Sequence, residues 1–187
     1  MSKGKLFVIS GASGVGKSTV LKKVMEARDD LRFSVSATTR APRPGEVDGE
    51  SYYFVSKKQF EDMIAADAFL EYDAHMDHFY GTPEKQLNEK LAFGSVVLDI
   101  DPNGAFHVKE KRPDAVLIFI APPSMAVLEQ RLRSRGDTSD EQISIRLQRC
   151  QWELEQQKRY DYTVINDRVD TCADEILKII TKHCDVE

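Results

Sequence analysis

The chain has 187 residues, of which 41% are hydrophobic and 30% charged. That length suits one domain with insertions, and the composition excludes a disordered or low-complexity chain. Lys and Arg total 26 against 31 Asp and Glu, a net charge of −5, so the surface as a whole offers no electrostatic grip on nucleic acid.

Lys5–Ile9 is a short β-rich run that ends in glycines. Its apolar part, Leu6–Ile9, is too short for a signal peptide, and a cytoplasmic address is expected. From Ser18 to about Ala27, Val20, Leu21 and Val24 recur at helical spacing. Phe33–Glu71 changes texture, with Pro42, Pro44, Gly45 and Gly49, then Tyr52–Val55, then an amphipathic Lys57–Ala66. It reads as small strands and one helix. Pro83–Phe93 reads as helix, and Ser95–Ile100 as an apolar strand leading into Asp99-Ile100-Asp101. Ala115–Ala121 is a second buried strand, closed by Pro122-Pro123. It is the longest apolar run and falls far short of the ~20 residues that a membrane span needs. Ser124 is placed to cap a helix to Arg133. A polar break at Ser134–Ser139 precedes a long helical pattern, Asp140–Arg159. Tyr162–Ile165 is a short strand and Val169–Lys182 a closing helix. Strands alternating with helices predict an α/β fold on a parallel sheet.

The sharpest local signal is Gly11-Ala12-Ser13-Gly14-Val15-Gly16-Lys17-Ser18, followed by Thr19. It matches G-x-x-x-x-G-K-[ST] with a strand before it and a helix after it. Glycines let the backbone curl so that successive N–H groups point at phosphate oxygens, and the helix N-terminus adds its positive end. Lys17 would reach the terminal phosphates of a nucleotide, and the Ser18 hydroxyl would ligate Mg²⁺. Asp99, at the end of an apolar strand, is the expected acidic partner of that metal. Strand alternation puts Asp101 on the same side, where it could serve metal or substrate.

A phosphate loop does not name a reaction. No Asn-Lys-x-Asp base-reading motif of the GTPase kind is present. Two arginine groups are. Arg40 and Arg43 lie beside Thr38, Thr39 and Pro42, while Arg131, Arg133, Arg135 and Arg146 flank the polar break near Gly136. Two arginine groups and one phosphate loop predict two phosphate-bearing ligands, because an arginine fork binds phosphate bidentately and never deprotonates.

The ordered set of motifs resembles the guanylate kinase family. Ser34 to Glu46, containing Thr38-Thr39-Arg40-Ala41-Pro42-Arg43-Pro44-Gly45-Glu46, is similar to that family's monophosphate-binding segment. Gly49, Tyr52, Glu71 and Tyr80-Gly81-Thr82 continue it, and Leu98-Asp99-Ile100-Asp101 with Gly104 matches the acidic strand end. Arg131 to Gly136, then Ile143, Arg146 and Leu147, resemble the lid, and Tyr160-Asp161-Tyr162 with Asn166-Asp167 the C-terminal signature. The likeness runs from about Lys5 to Asp167.

The resemblance implies ATP-dependent phosphorylation of GMP to GDP, with Mg²⁺ accompanying ATP. It implies one domain in which residues 1–32, 84–123 and 150–187 form the core, 33–83 a mixed α+β GMP-binding insert and 124–149 a helical lid. Ser36, Arg40, Arg43, Tyr52, Glu71, Tyr80, Thr82 and Asp101 would hold GMP. Arg40, Arg43, Tyr52 and Tyr80 would take its phosphate; Ser36, Glu71, Thr82 and Asp101 would face its base. Lys17, Arg43, Arg135 and Arg146 would act on the transferring phosphoryl, with Arg131 or Arg133 assisting. Gly11 to Thr19, Arg135 and Asn166 would bind ATP, Asn166 near the adenine. The partners this implies are the small-molecule substrates ATP and GMP, with no nucleic acid and no membrane expected, and protein partners are left open.

Chemistry supports Glu71 independently. Guanine presents N1–H and N2–H₂ as adjacent donors, which two carboxylate oxygens can accept. Adenine presents an N1 lone pair beside its N6 donor, and a buried group left unpaired costs ~1–3 kcal/mol. An open site would also lose phosphate to water, so insert and lid should close over both ligands, with Gly136 a candidate hinge.

Some positions leave the family pattern. Asp73-Ala74 and Asp77-His78 stand where Ala-Glu and Gly-Asn are usual, Asn103 where Gln is usual, and Arg168 where a second Asp is common. A turn at Asp77 that needs positive φ would strain a residue other than glycine. Two other readings stay open: a catalytically silent binding module, and a related kinase for a phosphorylated sugar. Cys150, Cys172 and Cys184 have no metal-ligand spacing and read as reduced thiols. Asp73, His75, Asp77 and His78 read as a solvated loop. His107 and His183 are expected at the surface, and Trp152 against the core.

Overall fold

The computed structural model describes residues 4–75, 77–134 and 140–184. Its central sheet has five strands: β1 (Leu6–Gly11), β2 (Leu31–Phe33), β7 (Ser95–Asp99), β8 (Val116–Ala121) and β9 (Tyr162–Ile165). They lie in the order β2-β7-β1-β8-β9. Every pairing is parallel, with Phe7 opposite both Val97 and Val116 and Ile118 opposite Tyr162. β1 and β8 are apolar without alternation because helices cover both sheet faces.

Side-chain alternation divides the core in two. Phe7 and Ile9 join Ile118 and Ile120 under helices α1 (Lys17–Glu26) and α7 (Val169–Cys184), which supply Val20, Val24, Ile176 and Ile180. Leu6 and Val8 join Leu98, Leu117 and Phe119 on the other face, against α3 (Glu84–Leu91) and α4 (Pro102–Lys111).

Helix α4 is absent from the sequence reading, which assigns no element between Asp101 and Ala115. Physically Pro102-Asn103-Gly104 is a well-formed helix start. Asp101 is the N-cap, its Oδ1 accepting the Gly104 N–H at 3.0 Å, and Pro102 occupies the first turn, where its missing N–H does no harm. β7 ends at Asp99, so Asp101 owes its position to this cap and not to strand alternation.

A second, mixed sheet is built from β3 (Ala37–Thr38), β4 (Tyr53–Phe54), β5 (Phe69–His75) and β6 (His78–Pro83), ordered β4-β3-β6-β5. β3 runs parallel to β4, and the other pairs are antiparallel. Phe60 of α2 (Lys57–Ala65) gives this sheet its own small core, its ring centroid 4.5 Å from that of Phe69 and 5.4 Å from that of Phe79. A Ser56–Gln59 capping box starts α2.

Helices α5 (Met125–Arg133) and α6 (Asp140–Glu155) follow β8. Ser124 caps α5 through the Val127 N–H at 3.2 Å. The long pattern ends at Glu155, and Gln156–Arg159 tighten into a 3-10 turn. Trp152 is 40% exposed, contrary to expectation. The buried stripe of α6 runs through Ile143, Cys150 and the half-buried Leu147 and Leu154, and position 152 falls off it. His107 is exposed, but His183 is half-buried, its Nε2 3.0 Å from the Tyr162 hydroxyl and its ring edge-on to Phe7. Among the described residues no helix is long and apolar enough to cross a membrane.

Candidate active site

Two cavities meet at the carboxyl ends of the parallel strands. One, of about 410 Å³, is lined by Gly11 to Ser18 together with Arg43, Asp99, Asp101, Arg146, Arg149 and Glu153. The loop leaves β1 at Gly11 and enters α1 at Lys17. Gly14 and Gly16 have φ of 83° and 94°, a region open to glycine and strained for other residues. A side chain at Gly14 would also meet Leu132 at 2.7 Å. Thr19 is exposed on α1 and lines neither cavity.

Lys17 Nζ is ion-paired with Asp99 Oδ1. Asn166, beyond β9, donates through Nδ2 to the Val15 carbonyl at 2.7 Å and so braces the loop from behind. Arg131 donates to the carbonyls of Val15 and Asn166, at 3.2 and 3.1 Å, and Arg133 pairs with Glu129. Arg131 is thus engaged in tying α5 to the loop. Arg146 lies on the cavity wall. Arg135 and Gly136 fall outside the described residues.

The other cavity, of about 310 Å³, is lined by Ser36, Tyr52, Glu71, Asp73, Tyr80, Gly81 and Ile100, and again by Lys17, Arg43, Asp99 and Asp101. Glu71 is buried on β5. Its Oε1 accepts a 2.6 Å hydrogen bond from Thr82 Oγ1, the residue opposite it on β6. Burial pushes its carboxyl up to about 7, with Asp101 and Asp73 adding to the rise and the Thr82 hydrogen bond opposing it. A Cβ on Gly104 would lie 2.7 Å from Glu71 Oε2, so α4 approaches this carboxylate closely only because residue 104 has no side chain.

Arg40 lies behind the cavity wall. Its fork grips Glu46 through both oxygens at 2.8 and 2.9 Å, and the Arg43 N–H adds a 2.7 Å bond to the same carboxylate. Glu46 holds the Arg40 guanidinium above its already high ordinary range. Tyr52 lies beneath Arg40 at 5.4 Å and edge-on to Tyr80 at 6.0 Å.

Asp77 carries the turn between β5 and β6 with φ of 65°. Aspartate tolerates this region better than most residues, so the hairpin forms without the usual glycine. Asp73 and Asn103, two further departures, are partners: Asn103 Nδ2 donates to Asp73 Oδ2 at 3.1 Å.

Of the described residues expected at the two ligand sites, Gly11 to Ser18, Ser36, Arg43, Tyr52, Glu71, Tyr80, Asp99, Asp101 and Arg146 line the cavities. Arg40 and Thr82 stand behind Tyr52 and Glu71, Asn166 and Arg131 stand behind the phosphate loop, and Thr19 and Arg133 lie apart. The geometry adds Arg149 and Glu153, which the sequence reading missed. Their spacing of four on a helix was a visible signal, but an ordinary one for surface ion pairs.

A strand, a phosphate loop and a helix at the carboxyl edge of a parallel sheet define a P-loop nucleotide-binding protein. The guanylate kinase family model matches residues 3–183, and the chain belongs to that family. It is 48% identical to a guanylate kinase of Caldanaerobacter subterraneus subsp. tengcongensis, over 99% of this chain and 91% of the relative. It is 47% identical to one of Thermus thermophilus, over 96% and 81%. The crystal structure of guanylate kinase from Anaplasma phagocytophilum superposes with a TM-score of 0.82 at 33% identity, over 99% of this chain and 88% of the other.

Proposed function

We propose that this chain transfers the terminal phosphoryl group of ATP to GMP, giving ADP and GDP. The observation that carries the reading is the shared wall: Lys17, Arg43, Asp99 and Asp101 line both cavities. Two ligands seated there would bring their phosphates together over one set of charges.

In this reading Gly11 to Gly16 cradle the donor phosphates with backbone N–H groups, and Lys17 leaves Asp99 to take their charge. Asn166, expected near the adenine, supports the donor site through the Val15 carbonyl that it holds. Arg40, Arg43, Tyr52 and Tyr80 fix the acceptor phosphate, while Ser36, Glu71, Thr82 and Asp101 read guanine. A GMP phosphate oxygen attacks the γ-phosphorus of ATP, and the bond to the β,γ-bridging oxygen breaks with its electrons leaving on ADP. Arg43 and Arg146, with Arg135, neutralise the charge in transit; positioning and charge supply most of the catalysis in such transfers. Residues 33–83 serve as the GMP-binding insert and 124–149 as the lid, carried by the core residues 1–32, 84–123 and 150–187. The activity belongs in the cytoplasm, where ATP and reduced thiols such as buried Cys150 and Cys172 are at home.

Ser18 and Asp99 are hard oxygen donors on the donor cavity wall, a set that suits Mg²⁺. Mg²⁺ bound there with ATP would supply charge neutralisation at the phosphates.

The test is to incubate the protein with ATP, Mg²⁺ and GMP and to separate the nucleotides. GDP and ADP formed in equal amounts are expected. ADP without GDP would refute the reading.

A further inference from the structure

We propose that Arg149 is a further catalytic arginine of this transfer and that Glu153 positions it. The inference rests on the function proposed above and adds two residues to it.

Both stand on α6. Glu153 is buried, yet it carries a carboxylate into the back of the phosphate loop. Its Oε2 accepts the Ser13 N–H at 3.0 Å, and its Oε1 accepts Arg149 Nε at 3.1 Å. Cys150 Sγ donates to the Ser13 carbonyl at 3.2 Å. One turn of α6 therefore grips Ser13 by both of its backbone polar groups. A buried carboxylate demands a cation, and Arg149 is that cation.

Arg149 is not used up by this pairing. A guanidinium has five donors in a fixed fork. Nη2 lies 3.6 Å from Asp101 Oδ2, beyond a good hydrogen bond, and Nη1 has no partner among the described residues. The side chain is 32% exposed, and it lines the donor cavity. Asp101 belongs to both cavities. Arg149 thus stands at the seam the phosphoryl group must cross, with its Nε anchored and the rest of its fork available. When both nucleotides are bound, Arg149 exchanges its loose contact with Asp101 for the oxygens of the transferring phosphoryl, and Glu153 keeps its stem in place.

The experiment compares the full chain with Arg149→Ala, Arg149→Lys, Glu153→Gln and the Arg149→Ala/Glu153→Gln double variant. Steady-state kinetics with ATP and GMP are measured, with melting temperature alongside. Loss of one preorganised charge donor predicts a fall in kcat of about 10²-fold in Arg149→Ala, with both KM values within about 3-fold of the parent. Added guanidinium should restore part of that rate, and Arg149→Lys should stay slow because an ammonium lacks the fork. Glu153→Gln keeps an acceptor for Ser13 but loses the charge that holds Arg149. Its effect should vanish in the double variant, since the two residues act as one unit. Should Arg149→Ala not fold, Arg149→Lys and Glu153→Gln carry the test alone. An unchanged kcat overturns the proposal. So does a loss confined to KM, or one that tracks melting temperature without guanidinium rescue. A parent chain that makes no GDP overturns the function as well, whereas an active parent with equally active variants overturns only the role of Arg149.

Discussion

Thr82 Oγ1 donates to Glu71 Oε1 across 2.6 Å, in a pair buried between β5 and β6. The bond fixes one carboxylate oxygen and leaves Oε2 turned toward Gly104. A carboxylate held this way offers acceptors to the adjacent donors of guanine and meets a lone pair on adenine. Sites built on such hydrogen bonds discriminate by ~10⁴ or more. Glu71→Ala is therefore expected to lower kcat/KM for GMP by at least about 10²-fold and to collapse the preference over AMP. Initial rates with each acceptor check this, and unchanged GMP kinetics would remove Glu71 from the base site.

The same burial makes acceptor use depend on pH. The Glu71 carboxyl is pushed up to about 7 from an ordinary value of 4.5, and the role proposed for it, accepting from two guanine donors, calls for the ionised form. The kcat/KM for GMP should rise as pH increases through about 7, and Glu71→Gln should flatten that limb. Stability runs the other way. A raised folded-state value means that the native protein binds the proton more tightly than the unfolded chain. Glu71 thus costs stability progressively from pH 4.5 upward and fully above about 7. Glu71→Gln should stabilise the unliganded protein at pH 8 by about 3 kcal/mol and barely at pH 4.5. Equal effects at both pH values, by denaturant titration, would contradict this.

Gly104 lets α4 approach the Glu71 carboxylate. A methyl group there would press on Glu71 Oε2. Gly104→Ala should raise the KM for GMP by about 10-fold while leaving that for ATP within about 2-fold. The helix should tolerate the change, since alanine is the better helix former by ~1 kcal/mol. Equal damage to both KM values would point to a general loss of fold.

Glu46 holds both arms of the Arg40 fork, which the proposed function assigns to the acceptor phosphate. Preorganised forks bind anions with less ordering entropy. Glu46→Ala is expected to weaken GMP binding by about 10-fold, with a smaller change in kcat. Calorimetric titration with GMP checks it; tighter binding would mean that Glu46 competes with the acceptor phosphate.

The phosphate loop was readable because it is local. Gly11 to Ser18 form one unbroken stretch whose chemistry is set by neighbours in sequence. The second cavity was readable in part: Arg43 and Asp101 stood out by residue type and position, whereas Ser36, Glu71 and Tyr80 were named through resemblance to a family, since they come from separate stretches of the chain. What stayed hidden were contacts between distant parts. Glu153 reaches Ser13 across 140 positions, and no local pattern announces that pairing. Helix α4 was hidden for another reason: Pro102 and Gly104 are turn residues by habit, but at a helix start proline is tolerated, and here glycine makes room for Glu71. Trp152 was misplaced because residue type was weighed above its position off the buried stripe of α6.

The most direct test of the account is ADP release from ATP and Mg²⁺ with GMP, AMP, CMP, UMP and ribose bisphosphate offered separately, beside a Lys17→Ala variant. The account predicts rapid turnover with GMP alone, lost in the variant. Turnover with another acceptor in place of GMP, or none with any acceptor by a folded protein, would contradict it.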